Sequence, residues 1–155
     1  MEACSKANMN EVLEDVAIGA LFHDLIEDQG DKINLNEIKE QFGELVAKIV
    51  SDCSDAEITK ENKQKPEWSI RKQKYIDAIS HKCKESLIVS SADKLHNARS
   101  ILSDKQLIGE EIWNRFSASK EQTIWYYNEV YKALDKAWGE NPLLNELKQA
   151  INELR

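Results

Sequence analysis

Seven residues in this chain of 155 can readily interrupt a helix: five glycines and two prolines. Glycine and proline are the strongest punctuators of local structure, so their scarcity leaves long stretches that nothing stops. Within those stretches the apolar residues return every three or four positions, the period of a helix face. The pattern predicts a first helix from about Glu11 to Glu27, capped by Asn8 or Asn10, with Gly30 ending the turn beyond it. Asn34 or Asn36 caps a short helix through Phe42, which Gly43 stops. "ELVAKIVSDC" reads as a helix with Leu45, Val46, Ile49 and Val50 inward. "SDAEITKENKQKPEW" reads as a polar loop. A helix runs from about Pro66 to Cys83, with Tyr75, Ile76 and Ile79 inward. "ESLIVSSADKLHNARSIL" is largely apolar; its "LIV" suits a strand, but no partner strand exists, so helix is expected. "EEIWNRF" is a short helix or turn. "KEQTIWYYNEVYKALDKAW" is a long helix ending at Gly139, and Pro142 opens a last one, "LLNELKQAINELR". The expectation is all-α: one single-domain helical bundle with short connections, residues 1–155.

Bulk properties exclude several function classes. The formal net charge of −7 argues against nucleic-acid binding, which needs a basic face. It leaves phosphate substrates open, provided that local cations or a metal receive them. Three scattered cysteines, Cys4, Cys53 and Cys83, with no CxxC pair, read as reduced thiols of a cytoplasmic protein. The apolar run from Val16 to Phe22 is too short to span a bilayer, and no signal peptide is visible at the N-terminus, so no membrane association is expected.

The chemistry concentrates in two segments. "FHDLIEDQG", residues 22–30, sets His23, Asp24, Glu27 and Asp28 at the end of the apolar run. On a helix, His23 aligns with Glu27, and Asp24 with Glu27 and Asp28. A histidine nitrogen with carboxylate oxygens suits Mn²⁺, Fe²⁺ or Zn²⁺. A solvated acidic helix end is the plain alternative, but carboxylates at a helix C-terminus oppose the macrodipole. In the second segment, Asp93 and Asn97 share a face, flanked by Lys94 and Arg99. Ser90, Ser91 and Ala92 permit close helix approach, so Asp93 can join His23 and Asp24 as a third ligand. His96 faces differently from Asp93 and reads as structural.

"HDLIED" followed by "ADKLHNARSIL" resembles the HD-domain metal-dependent phosphohydrolases, most closely the branch with the hydrolase domains of Rel/Spo homologues and small alarmone hydrolases. "FGELVAKIVSDCSDA", "WSIRKQKYIDAI" and "WNRFSASKEQTIWYYNEVYKAL" look like the stretches that join and follow those motifs, so the resemblance runs from about Asp15 to Gly139. It implies an HD-domain bundle with His23, Asp24 and Asp93 as metal ligands and Mn²⁺ as the expected ion. It implies Glu27 and Asp28 as the catalytic acids that orient and activate water. Lys94, Asn97 and Arg99 would position a nucleotide or pyrophosphate. The implied reaction is removal of the 3′-pyrophosphate of guanosine penta- or tetraphosphate (ppGpp). The family pattern also has a histidine ligand on a preceding helix. This chain has His23, His81 and His96, none upstream of His23, so the expectation is an N-terminally truncated domain or one lacking that ligand.

Two other readings stand beside this one. The same site can serve another nucleotide or a phosphomonoester. Alternatively, the chain is a helical regulatory module with an incomplete metal site. Trp113, Trp125, Tyr126, Tyr127, Tyr131 and Trp138 read as core packing, with Trp125 or Tyr126 at a pocket edge. "RKQK", residues 71–74, is a basic cluster that either is solvated or receives phosphate, and His81 reads as a surface residue. The apolar stripe of the last helix either closes the core or meets a second subunit in a homo-oligomer.

Overall fold

A computed structural model describes residues 1–30, 32–54 and 67–155. Its axis is the 25-residue helix α7 (Lys84–Ile108), which contains neither glycine nor proline and stops where Gly109 turns to a φ of 65°. The "LIV" triplet is helical, with Leu87, Ile88 and Val89 all buried. Ser86, Ser90 and Ser91 are buried too. Ser91 Oγ donates to the Leu87 carbonyl at 2.8 Å and accepts from Asn141 Nδ2 at 2.8 Å, so its hydroxyl is satisfied inside the core.

The other helices pack on this axis or on the helices that do. They are α1 (Glu2–Lys6), α2 (Leu13–Phe22), α3 (Leu25–Gln29), α4 (Leu35–Phe42), α5 (Glu44–Cys53), α6 (Trp68–Ala78), α8 (Lys120–Ala137) and α9 (Leu144–Glu153), with 3₁₀ turns at Asn10–Val12, Ile79–His81 and Gly109–Arg115. The structure is 81% helical, with no strand among the described residues, so the all-α bundle holds. Helices α2, α5, α8 and α9 pack on α7. A large core runs along α7, and a smaller one (Ile26, Ile38, Val46, Ala47, Val50) fills the space between α3, α4 and α5.

Local signals explain most boundaries. Asn34 forms a capping box with Glu37, and Gly43 ends α4 at a φ of 92°. Ser119 and Gln122 form a second capping box that starts α8. Gly19 lets α2 lie against α5, because a Cβ there would stand 2.7 Å from Ile49 Cγ2. Tyr126, Tyr127 and Trp138 are core residues, while Trp125 is 40% exposed. All three cysteines are free thiols. The loop read at 54–68 and the start at Pro66 fall largely outside the described residues.

Two expectations need correction. The first helix does not run from Glu11 to Glu27; it breaks at His23–Asp24, and neither Asn8 nor Asn10 caps it through a side-chain hydrogen bond. The run Val16–Phe22 is also less buried than its composition suggests. Val16 and Gly19 are buried, but Ala20 is exposed and Leu21 is 80% exposed, because α2 turns only one edge towards α5 and α7.

Candidate metal centre

The break between α2 and α3 builds the site. His23 Nδ1 donates to the Ala20 carbonyl at 2.8 Å, which satisfies a carbonyl left over where α2 ends. That bond fixes the tautomer and aims Nε2 outward, the orienting role that a second hydrogen bond plays for a ligating histidine. Nε2 lies 3.0 Å from Asp24 Oδ2 and 3.4 Å from Asp93 Oδ1 on α7. Residues about 70 positions apart thus meet at one nitrogen. Because the helix is broken here, Glu27 and Asp28 stand in the first turn of α3. Acidic residues suit a helix N-terminus, so the macrodipole objection raised by a continuous helix disappears.

Asp93 is the most enclosed member, its side chain 11% exposed. Oδ1 accepts from Asn97 Nδ2 at 2.6 Å, and Oδ2 accepts from Lys94 Nζ at 2.5 Å. Burial alone would favour the neutral acid, but the His23 hydrogen bond and the Lys94 ammonium outweigh it and hold the carboxyl well below the usual range. Asp24 and then Asp93 push His23 up to about 10, against its burial. Lys94 is itself held over the Tyr75 ring, 5.0 Å from its centroid. Lys82 lies on the same ring at 3.8 Å and donates to Ser90 Oγ at 3.3 Å. Burial pulls Lys82 down to about 8. The floor of the site is therefore a cationic, aromatic layer beneath Asp93.

A cleft of about 300 Å³ opens over these groups, lined by Ala20, His23, Asp24, Val89, Ala92, Asp93, His96 and Asn97. His23, Asp24, Asp93 and Asn97 all line it. Lys94 reaches it only through Asp93. Glu27 and Asp28 do not line it, and lie on the following short helix. Arg99 points elsewhere and pairs with Glu146 on α9 at 2.5 Å. Its placement does not support a substrate contact. His96 lines the cleft, where sequence reasoning had set it aside; its i+3 spacing from Asp93 was the signal for a shared face.

The donor set of one imidazole nitrogen and two carboxylates fits a divalent ion. Among the described residues, however, no three such side chains surround a common point suited to an ion. Here the three side chains close on one another, and the two carboxylates favour a protonated His23. An ion held by these groups would compete with protonation of His23.

The chain is an all-helical bundle whose long central helix brings Asp93 to a His-Asp pair. The chain belongs to the HD domain family, whose model matches residues 3–124. Proteins of this family are generally hydrolases and bind divalent metals. In fold the chain is similar to lmo0812 from Listeria monocytogenes EGD-e, known from a 1.85 Å crystal structure. The TM-score is 0.75 at 22% identity, covering 97% of this chain and 94% of that one. No curated protein matches the sequence. No helix among the described residues is long and apolar enough to cross a membrane.

Proposed function

We propose that this protein is a metal-dependent phosphohydrolase, with water as the nucleophile. The observation that supports the reading is the meeting of His23 with Asp24 and Asp93 across the α2–α7 junction. His23, Asp24 and Asp93 would hold the ion, with Mn²⁺ the first to test. When bound, it would polarise a phosphoryl oxygen and acidify water. Lys94 helps keep Asp93 ionised against burial and Asn97 orients it, which would preserve it as a ligand. The resemblance, not the cleft lining, gives the attacking water's proton to Glu27, with Asp28 beside it on α3. His96 and Asn97 face the cleft mouth and would receive the phosphate. No covalent intermediate is required.

The guanosine 3′-pyrophosphate of the alarmones is the substrate that the sequence resemblance brings forward. A phosphomonoester with an apolar organic group is the second reading, favoured by the alanine and valine wall of the cleft. The test is Mn²⁺ calorimetry on the chain and on Asp93→Ala, followed by metal-dependent turnover. Stoichiometric binding lost in Asp93→Ala, and turnover lost in Glu27→Gln with the helical signal intact, is the expected result. If both variants hydrolyse as well as the parent, the assignment is wrong.

A further inference from the structure

Beside the metal centre lies a second cavity of about 390 Å³, within the range of small-molecule sites. It shares Ala20, Val89 and Ala92 with the cleft, so the two are neighbouring compartments with a common wall. Its other lining residues include Val16, Ala17, Leu21, Ile88 and Leu143. No side chain in the lining carries a nitrogen or oxygen. Alanines at 17, 20 and 92 keep it open, and Leu21, 80% exposed, forms part of its rim. On one side of the shared wall stand five polar side chains, His23, Asp24, Asp93, His96 and Asn97; on the other the nearest to a polar side chain is the Cys4 thiol.

We infer that the substrate is a phosphate ester whose organic part is an apolar aryl or alkyl group, seated in this groove while its phosphate lies at His23, Asp24 and Asp93. The inference rests on the phosphohydrolase reading above and specifies its substrate class. A ribose or a purine placed in the groove would turn hydroxyls and ring nitrogens towards walls whose side chains offer no hydrogen bond beyond the weak one of the Cys4 thiol, and poorly paired polar groups are costly there. An aryl or alkyl group loses nothing and removes apolar surface from water. The polarity of the two compartments therefore matches an amphiphilic ester better than a nucleotide.

Calorimetry with 2-naphthyl phosphate and methyl phosphate, with and without Mn²⁺, tests the groove separately from catalysis. Burial of roughly 100 Å² of ring surface should make the naphthyl ester bind about 50-fold more tightly. Leu21→Asp sets a carboxylate at an exposed rim position, and Ala17→Phe fills the groove. Each should cut that ratio to about threefold or less while methyl phosphate binding stays unchanged. Equal affinities in the parent, or a ratio that neither variant changes, would overturn the inference. Should Ala17→Phe fail to fold, Leu21→Asp decides alone. A dimer in sedimentation that Leu21→Asp dissociates would also overturn it, since a second copy would then cover the groove. Turnover of the two esters and of guanosine tetraphosphate separates the readings. Hydrolysis of the guanosine compound without preference for the naphthyl ester rejects the groove and keeps the hydrolase. No turnover of any ester rejects the hydrolase, and the calorimetric ratio still decides the groove.

Discussion

Replacing His23 with Asn should change how stability depends on pH. His23 is raised from 6.5 to about 10 by Asp24 and Asp93. A group raised on folding contributes fully below its unfolded value, and the contribution is lost as pH climbs through the folded value. His23 should therefore stabilise the metal-free protein below about pH 6.5 and stop doing so by about pH 10. Each decade of proton affinity is worth about 1.4 kcal/mol, so the full span sets a ceiling of about 5 kcal/mol. Asp24 is 58% exposed, so solvent screens the larger contribution, and about 2 kcal/mol is the working figure. Urea unfolding of both proteins at intervals from pH 6 to 10, without metal, gives the difference directly. Taking the difference cancels groups common to both, including Lys82, whose lowered value acts in the opposite direction. Saturating Mn²⁺ should remove the dependence and release about one proton per ion near pH 8, readable from calorimetry in two buffers. A flat difference between parent and variant across pH 6.5–10 would refute the ion-paired arrangement.

Three other perturbations probe the frame. Gly19→Ala places a Cβ against Ile49 and should destabilise by about 1–2 kcal/mol in urea unfolding, despite the better helix propensity of alanine. Arg99→Ala should leave KM and kcat unchanged and cost at most about 1 kcal/mol, since its partner is the surface residue Glu146. Ser119→Ala should lower stability by about 1 kcal/mol through loss of the α8 cap, measurable as a lower Tm.

The fold was legible because helix signals in this chain are local. Asn34 and Gly43 act within a few residues of the boundaries they set, and the α7 periodicity spans several turns. The juxtaposition of His23 with Asp93 was legible from residue chemistry and the resemblance together. The break at His23 was not, because "FHDLIED" contains no glycine or proline to mark it. The exposure of Leu21 was also hidden, since an apolar run carries no record of which neighbours will cover it. His96 was misjudged on helix geometry, and its spacing from Asp93 was there to be used.

The unbroken length of α7 also sets where the gene can gain or lose codons. One residue added between Ser86 and Asp93 would rotate Asp93 by about 100° and shift it by about 1.5 Å, carrying it away from His23. The same insertion at Gly43 or Gly109, where positive-φ turns end helices and a Cβ would meet nothing within 4 Å, has slack to absorb it. Length variation among relatives that keep this site should therefore collect at those turns and spare the 86–93 segment.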